Sequence, residues 1–259
     1  MASRRPPERD IAPVAQRIRL RYAKRGRLRF SSHRDFQRAL ERAIRRAGLP
    51  IAYSAGFSPH PKISYSNSAP TGAASEAEYV EIGLTEERDP DLVRARLDEA
   101  LPTGLDIVDA VQARTPDFAS RLEASHWRIE LPGVDVETAT RARDAFWAAE
   151  GIEVERMAKS GLRRFDAREP VVLAAVASDE AAAEEPNGED PVGREPCAIL
   201  DVVVRHVTMS VRPDDVLAAL RRVADFEPPV PPRVTRLAQG PLDLATCAVG
   251  DPLTPDRGD

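Results

Sequence analysis

A helix with both ends marked in the sequence constrains the fold of this 259-residue chain more than any other stretch. Ser32 stands in the N-cap position, and Asp35 occupies the capping-box position three residues later, where Glu is more usual. Gly48 follows Ala47 as a helix stop. The spacing therefore predicts a helix over residues 33–47.

The two faces of this helix differ in chemical character. On a helical wheel its apolar side chains fall within about a third of a turn, and its arginines lie on the opposite side. The apolar set is Phe36, Leu40, Ala43, Ile44 and Ala47, and the cationic set is Arg34, Arg38, Arg42 and Arg45. We expect the first set to face a core and the second to face solvent.

Strand patterns precede and follow the helix. Residues 17–24 alternate charged and apolar side chains, which is typical of a half-buried strand and places Arg17, Arg19 and Arg21 on its outer face. Further strands are predicted at 28–30, 51–53, 62–66, 76–84 and 105–111, and a second helix at about 89–100. The resulting β-α-β-β-α-β order is the ferredoxin-like order.

The second half of the chain shows a similar series. Strands are predicted at 126–131, 152–157, 198–207 and 233–237, and helices at 136–149 and 213–223. Residues 170–177 are open to a further strand or a helix. We therefore predict an α+β protein of two tandem ferredoxin-like (βαββαβ) domains, 16–120 and 121–248. We expect three disordered segments, namely a basic arm at 1–15, an acidic insert at 178–196 and a tail at 249–259.

Composition and charge exclude several classes of protein. No run approaches the roughly 18 apolar residues of a membrane helix, and the N-terminus lacks the apolar segment of a secretory signal. Cys197 and Cys247 lie far apart, which argues against a disulfide scaffold or a metal site. We expect a cytoplasmic protein without membrane contact, metal or cofactor. The net charge of −5 conceals a strongly basic first 66 residues, which favours an anionic partner.

Two histidines near the first helix are candidates for ligand contact. His33 lies in the first helical turn, where the helix dipole disfavours imidazolium, and a neutral imidazole can act as a general base. The alternative role for His33 is a structural hydrogen bond. His60 lies between two prolines that restrict its backbone, as in a binding loop or a rigid turn. His126 and His206 lie on predicted strands, and we expect both to be structural.

The basic residues of the first domain resemble a phosphate-binding surface. Candidates for contact with RNA or a partner are Arg19, Arg21, Lys24, Arg34, Arg38, Arg42, Arg45, Phe57, Ser58, His60 and Lys62. An acidic protein partner would account for the same charges, so both kinds of ligand stay open. The sequence holds no Walker A, HExxH or GxSxG motif, so the catalytic candidate is His33 alone.

Three motifs in the first third of the chain carry a family resemblance. They are FSSHRDFQRALERAIRRAGLP, YSAGFSPHPKIS and SEAEY. As a set they resemble the radical SAM-associated family, a domain of unknown function that occurs alone or fused behind a cobalamin-binding radical SAM enzyme. The resemblance covers about residues 18–240. It implies that this chain serves a separately encoded radical SAM protein, since the chain itself has no cluster-binding CxxxCxxC.

The predicted architecture, with a histidine at the first helix, also resembles the repeat-associated RNA endonucleases of CRISPR systems. The glycine-rich C-terminal loop of those nucleases is missing here, and RLAQG at 236–240 stands near its place. We expect a non-catalytic accessory protein of a radical SAM enzyme that binds RNA or a tRNA-like substrate through the basic face of the first domain. The alternatives are a metal-independent RNA endonuclease with His33 as base, and a protein-docking module.

Overall fold

The structure is a computed structural model that describes residues 12–55, 57–158, 161–178 and 196–258. It is a mixed α+β protein with mostly sheet cores and, within those ranges, four α-helices. Its contacts divide the chain into a first unit, Met1–Ser120 with Pro252–Asp259, and a second unit, Arg121–Asp251. Most of the predicted arm, 1–11, and of the predicted acidic insert, 179–195, lies outside the described residues.

The first unit has the element order β-α-β-β-α-β. Its elements are β1 (Gln16–Lys24), α1 (His33–Arg46), β2 (Ile63–Ser66), β3 (Ala74–Leu84), α2 (Pro90–Ala100) and β4 (Leu105–Gln112). The strands lie in the order β4-β1-β3-β2, and each neighbouring pair is antiparallel. This order puts β1 and β3 in the middle of the sheet.

Two predicted strands of the first unit are wrong. Residues 28–30 belong to a 3-10 helix, Gly26–Phe30, because Gly26 has a positive φ of 53° and Leu28 donates its N–H back to the carbonyl of Arg25. Residues 51–53 form only isolated bridges, from Ile51 to Leu84 and from Tyr53 to Pro61.

Both helices of the first unit contribute to one hydrophobic core with the sheet. Buried side chains come from β1, β3 and β4 and from each helix; among them are Ile18, Leu20, Leu40, Ile44, Ile82, Val93 and Leu97. Tyr22 of β1 stacks on Phe36 of α1 at a centroid distance of 3.9 Å. Each such fully buried side chain contributes about 1.5–3 kcal/mol. The inward face predicted for the first helix is confirmed.

The opposite side of β1 is covered by the C-terminal part of the same unit. A 3-10 helix at Thr254–Asp256 places the buried Asp256 carboxylate against Arg19, and Leu253 just before it is fully buried. The predicted disordered tail from residue 249 is therefore wrong. Its anchoring partner on β1 lies 237 positions away, and no local pattern encodes that contact.

The second unit has the same order of principal elements, with a hairpin inserted. Its elements are β5 (Ala124–Pro132), α3 (Val136–Ala148), β6 (Glu153–Ala158), β7 (Gly161–Asp166), β8 (Val171–Ser178), β9 (Cys197–Arg205), α4 (Pro213–Ala224), β10 (Arg233–Gly240), β11 (Leu242–Asp243) and β12 (Ala248–Val249). The main strands lie in the order β10-β5-β9-β8, all antiparallel, whereas β6 pairs with β7 and β11 with β12.

One strand assignment in the second unit needs correction. The sequence predicted that residues 152–157 would be the second strand of the domain, but the second strand of its main sheet is β8. β8 is almost entirely apolar, VVLAAVAS, and matches the apolar β9 that it pairs with. β6 alternates exposed and less exposed residues, so it suits a hairpin in which one face meets solvent.

Candidate nucleic-acid interface

Hydrogen bonds at both ends fix the limits of α1. The Ser32 hydroxyl accepts the N–H of Asp35 at 3.2 Å, and the Asp35 carboxylate accepts the N–H of Ser32 at 3.1 Å, which completes the predicted capping box. These bonds to Ser32 lower the pKa of Asp35. At the other end Gly48 has a φ of +62°, and the Leu49 N–H reaches the Ile44 carbonyl at 3.2 Å. These bonds fix where α1 begins and ends, and therefore the side of the helix on which each residue lies.

The outer side of α1 is a row of four exposed arginines, here called the arginine face: Arg34, Arg38, Arg42 and Arg45. Within the described part of the chain, none of their guanidinium groups forms a hydrogen bond or ion pair. Arg45 lies eleven positions after Arg34, so the row extends about 16 Å along the helix at 1.5 Å per residue. Unpaired cations this close together create a positive field over the helix.

The arginines predicted on the outer side of β1 do not form a comparable surface. Arg19 is only 4% exposed, and it lies 3.0 Å from the Glu81 carboxylate besides its pair with Asp256. The half-buried Arg21 has its Nε shielded from solvent. Arg17 is exposed but is paired with Glu81 at 2.9 Å. Arg19 is therefore corrected from a binding candidate to a structural ion-pair residue.

Lys24, also predicted as a binding residue, is not accessible to a ligand. Its side chain is buried, and its ammonium group donates a hydrogen bond to the Pro70 carbonyl at 3.2 Å. The alternating pattern of the sequence could not show that a distant part of the chain covers the polar residues of β1.

The loop at 54–61 is closed by hydrogen bonds between its ends. The Ser54 hydroxyl accepts the His60 N–H at 3.0 Å, and the Ser54 N–H reaches the His60 carbonyl at 2.8 Å. Phe57, Ser58, His60 and Lys62 are all exposed. The loop therefore presents Phe57, Ser58 and His60 to solvent, and Lys62 is exposed just after it. The imidazole of His60 makes no hydrogen bond to any described residue.

The side chain of His33 is exposed, and three other side chains contact its ring. Its Nε2 lies 3.0 Å from the amide nitrogen of Gln37, and its Nδ1 lies 3.1 Å from the Ser68 hydroxyl. Both ring nitrogens of His33 therefore have a side-chain partner at hydrogen-bond distance. The edge of the Tyr65 ring completes the setting at 4.9 Å.

Three side chains around His33 were missed by the sequence interpretation. Gln37 lies one helical turn after His33, so the i,i+4 rule would have found it. Ser68 and Tyr65 come from β2 and the segment after it, and no local signal links them to His33. Burial, followed by the negative charge of Glu41, raises the pKa of Tyr65, so its phenol stays protonated at neutral pH.

Other kinds of site are not seen in the described ranges. Over those residues, no group of three or more His, Cys, Asp or Glu side chains is arranged to hold a metal ion. The helices that the structure describes are all too short or too polar to span a membrane. Both cysteines are free, and the thiol of Cys247 contacts the Val172 carbonyl at 3.5 Å.

The two remaining histidines have structural partners in the second unit. His206 donates through Nδ1 to the Leu122 carbonyl at 2.6 Å, and its Nε2 lies 2.8 Å from the Ser125 hydroxyl. Burial lowers the pKa of His206. His126 lies 3.5 Å from the Asp201 carboxylate.

Fold and surface together define an α+β protein of two sheet-based units, with a cationic helix face exposed on the first. Residues 17–213 match the family described as "Uncharacterized protein conserved in bacteria (DUF2344)", and the chain belongs to this family. The family match establishes a domain of unknown function; the link to radical SAM enzymes rests on the motif resemblance alone.

Comparison with individual proteins adds little. No curated protein matches the chain. Among solved structures, the encapsulated DyP-type peroxidase from Mycobacterium smegmatis is similar at 12% identity, with 91% of this chain and 94% of that chain covered and a TM-score of 0.22. At this TM-score the similarity carries no inference about fold or activity.

Proposed function

We propose that this protein is a non-catalytic accessory protein of a radical SAM enzyme, and that it binds RNA or a tRNA-like substrate through the arginine face and the loop at 54–61. The observation that carries the RNA part is the row of four exposed guanidinium groups without partners in the described chain. The guanidinium groups of this row repel one another, whereas the row suits the regularly spaced charges of a polyanion.

The partnership with a radical SAM enzyme rests on a different observation. The motifs around α1 and the loop at 54–61 resemble the radical SAM-associated family, and they contain the residues that form the proposed surface. We also propose that both units are ferredoxin-like domains, because each has a βαββαβ order of principal elements and the 4-1-3-2 strand order. A cytoplasmic location fits both proposals.

The contacts of His33 argue against its use as a general base. Both of its ring nitrogens already have side-chain partners, Gln37 and Ser68, at hydrogen-bond distance. A general base needs its acceptor nitrogen within reach of the proton that it removes. We therefore retain the endonuclease only as an alternative to be tested, together with the protein-docking module.

The test is the salt dependence of RNA binding. Fluorescence anisotropy with labelled tRNA at 50–300 mM salt should show an affinity that falls steeply with salt. The double variant Arg38→Ala/Arg42→Ala should bind more weakly, and the slope of log K against log salt should become shallower by about 1.4–1.8, since each lost phosphate contact removes about 0.7–0.9.

The matched control is Arg94→Ala/Arg96→Ala, which removes two arginines from the surface of α2 in the same unit. It should leave the slope unchanged. Absence of binding at 50 mM salt would exclude both RNA functions, and RNA-independent co-purification with a radical SAM protein would then favour docking. Cleavage of the RNA in EDTA that is lost in His33→Ala would favour the endonuclease.

A further inference from the structure

The exposed aromatic side chains of this protein are confined to one region. The chain has thirteen Phe, Tyr and Trp residues, all within the described ranges, and three of them are exposed. They are Phe30 (59% exposed), Tyr53 (38%) and Phe57 (57%). All three lie in the segments that lead into and out of α1.

These rings flank, in the sequence, the helix that carries the arginine face. Phe30 precedes the N-cap by two residues, and the Arg29 guanidinium lies 4.7 Å from its ring centroid. Tyr53 and Phe57 follow the C-terminal end of α1, where a bridge from Tyr53 to Pro61 holds the base of the loop. The intervening helix has 14 residues, a length of about 21 Å.

A solvated aromatic ring forgoes the favourable free energy of burial. Exposed rings next to unpaired cations form the combination that single-stranded nucleic acids bind, because the cations follow the phosphates while the rings stack on the bases. A duplex cannot use the rings in this way, since its bases are already stacked on one another. An acidic protein would also use both the cations and the rings, because aromatic residues and Arg are enriched at protein–protein interfaces, so binding to the probes below distinguishes the two kinds of partner.

We propose that the arginine face together with Tyr53 and Phe57, and with Phe30 at the opposite end, is a binding site for a single-stranded nucleic acid. The inference rests on the proposed function and narrows the ligand to a single-stranded segment of nucleic acid. Single-strand-binding domains cover about 4–16 nucleotides, and we expect a site built on one helix to lie at the lower end of this range.

The experiment compares three labelled probes over the same series of salt concentrations. They are a 12-nucleotide unstructured RNA, the same RNA annealed to its complement, and a DNA strand of the same sequence. The wild-type protein should bind the RNA strand at least about tenfold more tightly than the duplex. Phe57→Ala should weaken single-strand binding by about 5-fold to 150-fold, the range for one stacked base, with the salt slope unchanged.

Leu92→Ala is the matched control, because Leu92 is an exposed apolar side chain of α2 in the same unit (43% exposed). It should bind all three probes as the wild type does, and circular dichroism should show the wild-type fold for both variants. Tighter binding of the RNA strand than of the DNA strand would assign RNA as the ligand. Equal binding of the two strands would support a single-strand site for both.

Failure of the inference and failure of the proposed function give different results. If single strand and duplex bind equally and Phe57→Ala has no effect, the single-strand inference is overturned while RNA binding through the arginines stands. If none of the three probes binds at 50 mM salt, both are overturned.

Discussion

Replacing Asp256 with asparagine tests whether the C-terminal segment is an integral part of the first unit. The Asp256 side chain is fully buried, and it forms an ion pair with Arg19, whose side chain is 5% exposed. One of its oxygens also accepts the backbone N–H groups of Arg114 and Thr115, each at 2.9 Å. Asparagine keeps an oxygen acceptor for these bonds but removes the negative charge beside Arg19.

The expected loss of stability follows from the charge of Arg19, which the substitution leaves buried. Removing one partner of a buried ion pair costs about 3–5 kcal/mol, because the remaining charge stays buried. Arg19 keeps a second carboxylate partner, Glu81, at 3.0 Å. We therefore expect Asp256→Asn to lower the free energy of unfolding by about 3 kcal/mol, the lower end of this range. With a urea m-value of about 2 kcal/mol per M, the unfolding midpoint should fall by about 1.5 M.

Urea unfolding followed by far-UV circular dichroism measures this shift. Glu86→Gln is the control, since Glu86 belongs to the same unit but its pair with Arg88 is largely exposed. The control should change the free energy of unfolding by less than about 1 kcal/mol. An Asp256→Asn protein within 0.5 kcal/mol of wild type would refute the claim that this ion pair anchors the segment.

Two further predictions concern the helix cap and pH dependence. Ser32→Ala removes the acceptor for the Asp35 N–H and should lower stability by about 1 kcal/mol in a urea titration, whereas Ser32→Thr should retain most of it; equal loss in both would contradict the cap assignment. Burial lowers the pKa of His206 below its ordinary value of 6.5, so the fold favours the neutral ring. The resulting stability is present above pH 6.5 and is lost as the pH falls through the lower, folded-state pKa. Tryptophan fluorescence, which reports the second unit because both tryptophans lie there, should show a smaller acid-induced drop in urea midpoint for His206→Gln than for wild type; identical drops would show that another group titrates.

Local signals predicted the parts of the fold that local interactions determine. α1 begins and ends where Ser32 and Gly48 indicated, because its capping bonds join residues at most five apart. The exposure of its arginines followed from the helical wheel for the same reason. At 26–30 the alternation of Leu28 and Phe30 was misleading, since the positive φ of Gly26 turns the chain before a strand can continue.

Distant contacts account for what the sequence did not show. Arg19 and Lys24 looked like binding residues because the groups that bury them, Asp256 and Pro70, lie far along the chain. In the second unit, two segments had strand-like patterns, and only pairing with β9 decides that β8 belongs to the main sheet. The surroundings of His33 depend likewise on Ser68, 35 residues away.

The ion pair between Arg19 and Asp256 also determines when, during translation, the first unit can become fully stable. The two residues are 237 positions apart, and the whole second unit is encoded between them. At 5–20 residues per second, a ribosome takes roughly 10–50 seconds to pass from one to the other. During that interval the nascent first unit has its four strands and two helices but lacks the carboxylate that its buried arginine requires. We therefore expect the first unit to acquire its full stability only after the second has been translated, although its main elements come first in the chain.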